Sequence, residues 1–208
     1  MKKVILTAVA VFVFGFTYAQ KAQFGIKGGL NSSNFSGDTE GIDFKSRIGF
    51  NLGAFAAIKL SEKITLQPEI SYSTQGAKAV NVTAPYDGTL YTGDVKFNLS
   101  YINVPVMIKY YVADKFNLEA GPQIGFLTSA KTSTKLDGFN QTVDQDIKDS
   151  FESVDFGLNI GAGYDFTKNI SAGIRYNIGL SNIAKTEPGD NSKIENSVFS
   201  LSLGYKFK

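Results

Sequence analysis

The side chains able to do chemistry in this chain are its charges, because it contains no Cys and no His. Disulfides, thiolate metal sites and imidazole-dependent catalysis, from Ser-His-Asp triads to most zinc hydrolases, are therefore excluded. Lys27, Lys59, Glu69, Lys109, Glu119, Asp165, Arg175 and Lys206 all sit where polar and apolar residues alternate, on the polar side of the alternation. Charges held in a low-dielectric interior must be paired or hydrated. They could line an ion-selective pore or form a structural network of ion pairs, and the network is the expectation. Lys27, Glu69, Glu119 and Arg175 are expected to share its bonds. Asp137, Asp144, Asp146 and Asp149 hint at a calcium loop, yet their spacing fits no EF-hand and no bidentate Glu follows. Gly157, Gly161 and Gly163 make no GxGxxG fingerprint and precede no helix, so they read as relief for a crowded sheet. No metal and no cofactor is expected, and the composition argues against an enzyme. With 21 Lys+Arg against 19 Asp+Glu, nothing marks a nucleic-acid binder.

The elements that must position these charges are strands. From Arg47 to Leu60 every even position is apolar: Ile48, Phe50, Leu52, Ala54, Ala56, Ile58 and Leu60. Val154 to Phe166 alternates in the same way without exception. Successive strand side chains point to opposite faces, so each segment has one apolar and one polar face. Six further segments alternate likewise, near Phe24–Leu30, Ile64–Tyr72, Ile102–Tyr110, Leu118–Phe126, Ile170–Leu180 and Phe199–Phe207. Helical periodicity appears nowhere convincingly.

The links between the eight segments alternate strictly in length. Those near 34–44, 77–93, 132–150 and 184–193 are long and polar, whereas Ser61–Lys63, Val112–Lys115 and Thr167–Asn169 are tight. An up-and-down barrel puts all the tight turns on one rim and all the long loops on the other, as in outer-membrane barrels. The polar faces are dense in Gly, Ser and Asn, which suits a narrow filled interior better than the water-facing wall of a lipocalin-like barrel. Tyr72, Tyr110, Tyr111, Tyr164 and Phe166 fall near strand ends, where an interfacial aromatic girdle belongs. The fold class is therefore all-β: an eight-stranded antiparallel up-and-down transmembrane β-barrel with a polar, filled interior.

Lys2 and Lys3 precede an uncharged run from Val4 to Phe16, and Thr17-Tyr18-Ala19 ends on the small residue that signal peptidase requires. Thirteen residues fall short of the ~20 of a spanning helix, so residues 1–19 are expected to be a signal peptide and 20–208 the barrel domain. One irregularity is also expected. Phe97, Leu99 and Tyr101 carry apolar residues on odd numbers and Ile102 to Tyr110 on even numbers, which implies a β-bulge near 101–103.

The run Tyr101-Ile102-Asn103-Val104-Pro105-Val106-Met107-Ile108-Lys109-Tyr110 resembles a signature of a Bacteroidetes outer-membrane barrel family, called porin-family or PorT-like. Gly121-Pro122-Gln123-Ile124-Gly125-Phe126 resembles a second segment of that family, and Tyr101, Pro105, Lys109, Tyr110, Gly121 and Pro122 are the most specific positions. Lys208 after Phe207 departs from barrels that end on the aromatic itself. The resemblance implies an outer-membrane location and a monomer in lipid. It also implies a structural or interaction role through four outer loops facing envelope or extracellular proteins. The alternative it implies is a transport accessory, either a narrow pore or a component of a secretion or uptake assembly.

Overall fold

The computed structural model describes residues 22–38, 42–86, 89–136, 142–186 and 192–207; the segment 1–19, expected to be a signal peptide, and Lys208 lie outside them. The strands are β1 (Ala22–Gly37), β2 (Phe44–Lys59), β3 (Ile64–Gln75), β4 (Ala77–Tyr86), β5 (Thr89–Tyr111), β6 (Phe116–Leu136), β7 (Thr142–Asp146), β8 (Val154–Asp165), β9 (Ile170–Gly179) and β10 (Ile194–Lys206). All pair antiparallel. Eight of them close a ring, in which β1 joins β2 and β10, β3 bridges β2 to β5, and β6 links β5 to β8 and so to β9. Closure leaves no free edge in the wall.

The strands number ten where the alternation predicts eight. The two additional strands arise inside segments expected to be loops. Val80, Val82 and Thr83 on β4, and Thr132, Thr134, Thr142 and Val143 on β6 and β7, are β-branched residues that favour extended pairing. As a result β4 and β7 flank the tall β5–β6 hairpin beyond the ring, at the long-loop end. Gly76 separates β3 from β4 with φ +128°, a conformation that disfavours any side chain.

The two faces are sorted as alternation demands. Phe24, Ile26, Leu30, Phe50, Leu52, Ile108, Leu118, Ile160, Ile174, Leu201 and Leu203 point outward and are roughly half exposed, forming an apolar belt. Tyr72, Tyr110, Tyr164 and Phe166 belong to that outer face, but Tyr111 does not: its hydroxyl turns in and donates to Asp165 Oδ2 at 2.9 Å.

The interior departs from the expectation of a polar filling at one end. Phe35, Ala77, Leu99, Tyr101, Leu127, Ala130, Phe151 and Ile183 form a buried apolar cluster inside the long-loop end. Phe35, Phe44 and Phe97 meet there edge to face at 5.4 to 5.9 Å. This cluster also explains the bulge. Leu99 and Tyr101 are apolar because they pack inward, so β5 keeps one register against β3 across Thr74↔Ser100, Ser73↔Tyr101 and Tyr72↔Ile102. The irregularity lies instead on the other side of the strand. Ser100 faces Ser129 and Tyr101 faces Leu127, so the extra residue is Thr128 of β6.

Candidate functional site

Five of the eight wall strands send a charged side chain to one level of the lumen: Lys27 from β1, Glu69 from β3, Lys109 from β5, Glu119 from β6 and Arg175 from β9. Each sits at an inward position of its strand, between lipid-facing apolar neighbours, so period two alone fixes its direction. Arg175 is the hub. Its Nη1 and Nη2 clamp Glu69 at 3.0 and 2.9 Å, a two-point bond between β9 and β3, while Nε donates to Glu119 at 2.8 Å. A planar guanidinium suits this because it offers five donors in a fixed fork. Lys27 completes Glu69 at 2.9 Å, and Lys109 lies 3.4 Å from Glu119. Gln67 adds a fourth donor to Glu69, at 2.8 Å, so a carboxylate only 2 % exposed has its acceptor sites filled.

Nearer the tight turns, Asp165 receives Lys206 Nζ at 3.0 and 3.1 Å besides the Tyr111 hydroxyl. Lys59 is not part of either group: it is the last residue of β2, is exposed, and helps line an open mouth of about 990 Å3.

Above the ion cluster, toward the long loops, the lumen is a layer of amides and hydroxyls. Asn31 donates to Ser73 at 2.9 Å and accepts from Asn51 at 2.7 Å and Ser200 at 2.9 Å. Asn177, Asn159 and Gln123 form a second chain at 3.2 and 3.3 Å, and Asn196 bonds Gln75. Two cavities of about 40 Å3 flank the ion cluster. Each has room for very few water molecules and no solute.

The glycines of this wall make room for its filling. A Cβ on Gly25 would stand 2.4 Å from the ring of Phe55, a large apolar side chain buried on β2's inner face. The family-like segment has a local reason too. Pairing of β5 with β6 runs to Pro105↔Gln123 and resumes at Ile108↔Ala120. In that gap Gly121 brings its backbone so near β5 that a Cβ would lie 2.0 Å from the Val106 carbonyl oxygen, and Pro122 has no N–H to give. Pro105 is buried inward and Pro122 exposed outward, on neighbouring rungs.

None of these groups forms a catalytic constellation among the described residues. The acceptors of Glu69 and Glu119 are taken by fixed cations, which holds them in place as structure and leaves no free base. No group of three or more acids among the described residues could hold a metal ion. Asp144 and Asp146 lie exposed on β7 and Asp149 in a short 3-10 turn, while Asp137 lies outside the described residues. Sequence reasoning missed the apolar cluster, because alternation marks an apolar odd-numbered run without saying which side of the wall is dry.

Comparison with solved structures places the fold among outer-membrane barrels. The Neisserial surface protein A superposes with a TM-score of 0.52 at 17% identity, over 89% of this chain and 99% of that one. Ail, the attachment invasion locus protein of Yersinia pestis, gives 0.51 at 13% identity over 90% and 99%. Ail crystallised with the heparin analogue sucrose octasulfate gives 0.50 at 14% identity over the same shares. No curated protein matches the sequence. The model of the outer membrane protein β-barrel domain matches residues 18–185, most of the chain and most of the ring, and the chain belongs to that family of outer-membrane β-barrels.

Proposed function

We propose that this protein is a non-enzymatic outer-membrane barrel whose wall is a closed support and whose working surface is the long-loop end, offered to envelope or extracellular proteins. The observation that carries the reading is the filled lumen. Side chains from opposite walls meet across it as Arg175 with Glu69, and the apolar cluster closes it again beneath the long loops. An eight-stranded ring is only wide enough for side chains to fill, so a closed interior is its ordinary state. On this reading the chain is a monomer in lipid, its N-terminal residues 1–19 direct export, and both chain ends face the periplasm. The Tyr101–Tyr110 and Gly121–Phe126 segments favour placing it with the Bacteroidetes porin-family, PorT-like barrels.

Planar-bilayer recording of the refolded protein tests this. A supporting trace has no stable open level over minutes of applied voltage. A reproducible unit conductance would overturn it in favour of the narrow-pore reading, and co-purification with a fixed set of secretion components would favour the assembly role.

A further inference from the structure

On the outer face of β2, β4, β5 and β6, the charges nearest the apolar belt share one sign. Going out from Ile48 on β2 come Arg47, whose Nε donates to Asn98 at 2.9 Å, then Lys45, and acid only at Asp43. On β5, beyond Ile102, the outward residues are Ser100, Asn98 and then Lys96, with Asp94 the next outward position. On β4 the first is Lys78, and on β6 it is Lys131, which stands opposite Asn98. Three of these lysines are directly opposed across the sheet: Lys45 faces Lys78 and Lys78 faces Lys96.

Like charges on facing rungs repel and are normally avoided. Here the only described carboxylate bonded to the row is Asp94, 2.6 Å from Lys78, whose hydrogen bond holds the Asp94 carboxyl below its ordinary value. Asp43 stands one rung pair farther out and Asp146 opposes Lys131 from β7, so carboxylates flank the row without lying within it. Lys45 and Lys96 are exposed.

Height matters as well. A strand rises ~3.4 Å per residue, so with a tilt near 40° Lys45 lies roughly 8 Å above Ile48. Lys96 lies six residues beyond Ile102, roughly 15 Å higher by the same geometry. Headgroup zones add about 5–8 Å on each side of a ~30 Å hydrocarbon core, and lysine side chains reach back toward the membrane. The row thus stands at and just above the level of lipid headgroups.

We propose that Lys45, Lys78 and Lys96, with Lys131 beside them, form a docking face for the phosphate groups of outer-leaflet glycolipid. The phosphate adds negative charge where the sheet supplies only Asp94 beside Lys78 and Asp146 opposite Lys131, and it would hold the tall β4–β7 extension at a fixed angle to the membrane. This rests on the proposed reading that the long loops face outward. It is independent of whether the lumen conducts.

The test uses the full chain in mixed micelles or nanodiscs, with phosphorylated lipid A and its dephosphorylated form as probes, read by native mass spectrometry of retained lipid. Wild type retains the phosphorylated form preferentially. A basic residue near a charged surface contributes roughly fivefold, so K45Q/K78Q/K96Q loses on the order of 100-fold. The arginine triple K45R/K78R/K96R stays within a few-fold of wild type, and K63Q/K168Q at the tight-turn end changes nothing. Heat-modifiable migration shows that each variant is folded. Equal retention of both lipids by wild type, or retention by the glutamine triple within threefold of wild type, overturns the proposal. So does an acidic peptide that needs the same lysines while the lipid does not. A conductance result leaves this outcome untouched, so the two readings fail separately.

Discussion

Replacing Arg175 by Met would leave Glu69 and Glu119 in the lumen with only Lys27 and Lys109 to balance them, and with the two-point bond to β3 gone. Stripping one partner from a buried pair costs about 3–5 kcal/mol, most of it the penalty of the orphaned charge. R175M is therefore expected to lower the unfolding free energy by that amount in a denaturant titration from micelles. The double variant R175M/E69Q should lose distinctly less than the sum of its single variants, because the second change removes the orphan. Additive losses would mean that the cluster is hydrated and weak. The directions of these side chains were legible in the sequence, since period two sets them. Their partners were not, because Arg175 and Glu69 are 106 residues apart and meet only through the stagger of a closed ring. Lys59 and Tyr111 keep the inward parity of their strands: Tyr111 turns in to Asp165 against the girdle expectation, and Lys59 lines the open mouth, where the rim leaves it exposed.

Two local devices let regular strands carry an interior that changes character along its length. Thr128 is an extra residue in β6, and it puts both Leu127 and Ala130 inside, facing Tyr101 and Leu99. Deleting Thr128 would close the bulge and leave every pair from Ser129 onward as it is, with Ala130 inside and Lys131 outside. The deletion should therefore keep heat-modifiable folding, and loss of the compact band on a gel would mean that the register beyond the bulge depends on the extra residue. Substituting alanine at position 128, which keeps the count, should be nearly silent. Gly76 works differently. With φ +128° and a Cβ position 2.0 Å from the Phe97 carbonyl oxygen, it ends β3 so that β4 can begin one residue on. Gly76→Val should cost more than the 1–3 kcal/mol typical of strained backbone positions, since strain and clash add. Thermal unfolding of the refolded variant measures it, and a melting temperature equal to wild type would contradict the clash. The sequence pointed to an irregularity within a residue of the right place but put it on the wrong strand. It treated an apolar run as lipid-facing, and only the ring's closure shows that the inside is apolar there too.

Across the whole molecule the lumen is stratified: apolar beneath the long loops, amides and hydroxyls in the middle, ion pairs below, and an open mouth at the tight turns. The order has a physical logic. An ion cluster is dear in a dry interior unless its neighbours can hydrogen-bond, and the amide layer together with two water-sized cavities gives it such a border. The apolar cluster needs no partners and can seal the end that carries the tall hairpins. Two seals in series make a specific prediction about conduction. Removing the charged one alone, with E69A/R175A, should still give no stable open level in a planar bilayer, because Leu99, Tyr101, Phe35 and Phe97 continue to block the path. Removing the apolar one alone, with L99A/Y101A, should likewise stay closed behind the Arg175 clamp. Only the four-residue combination should conduct, provided it still folds by the gel test. Steady conductance from either pair alone would place the whole barrier in one layer and deprive the other of any part in closing the barrel.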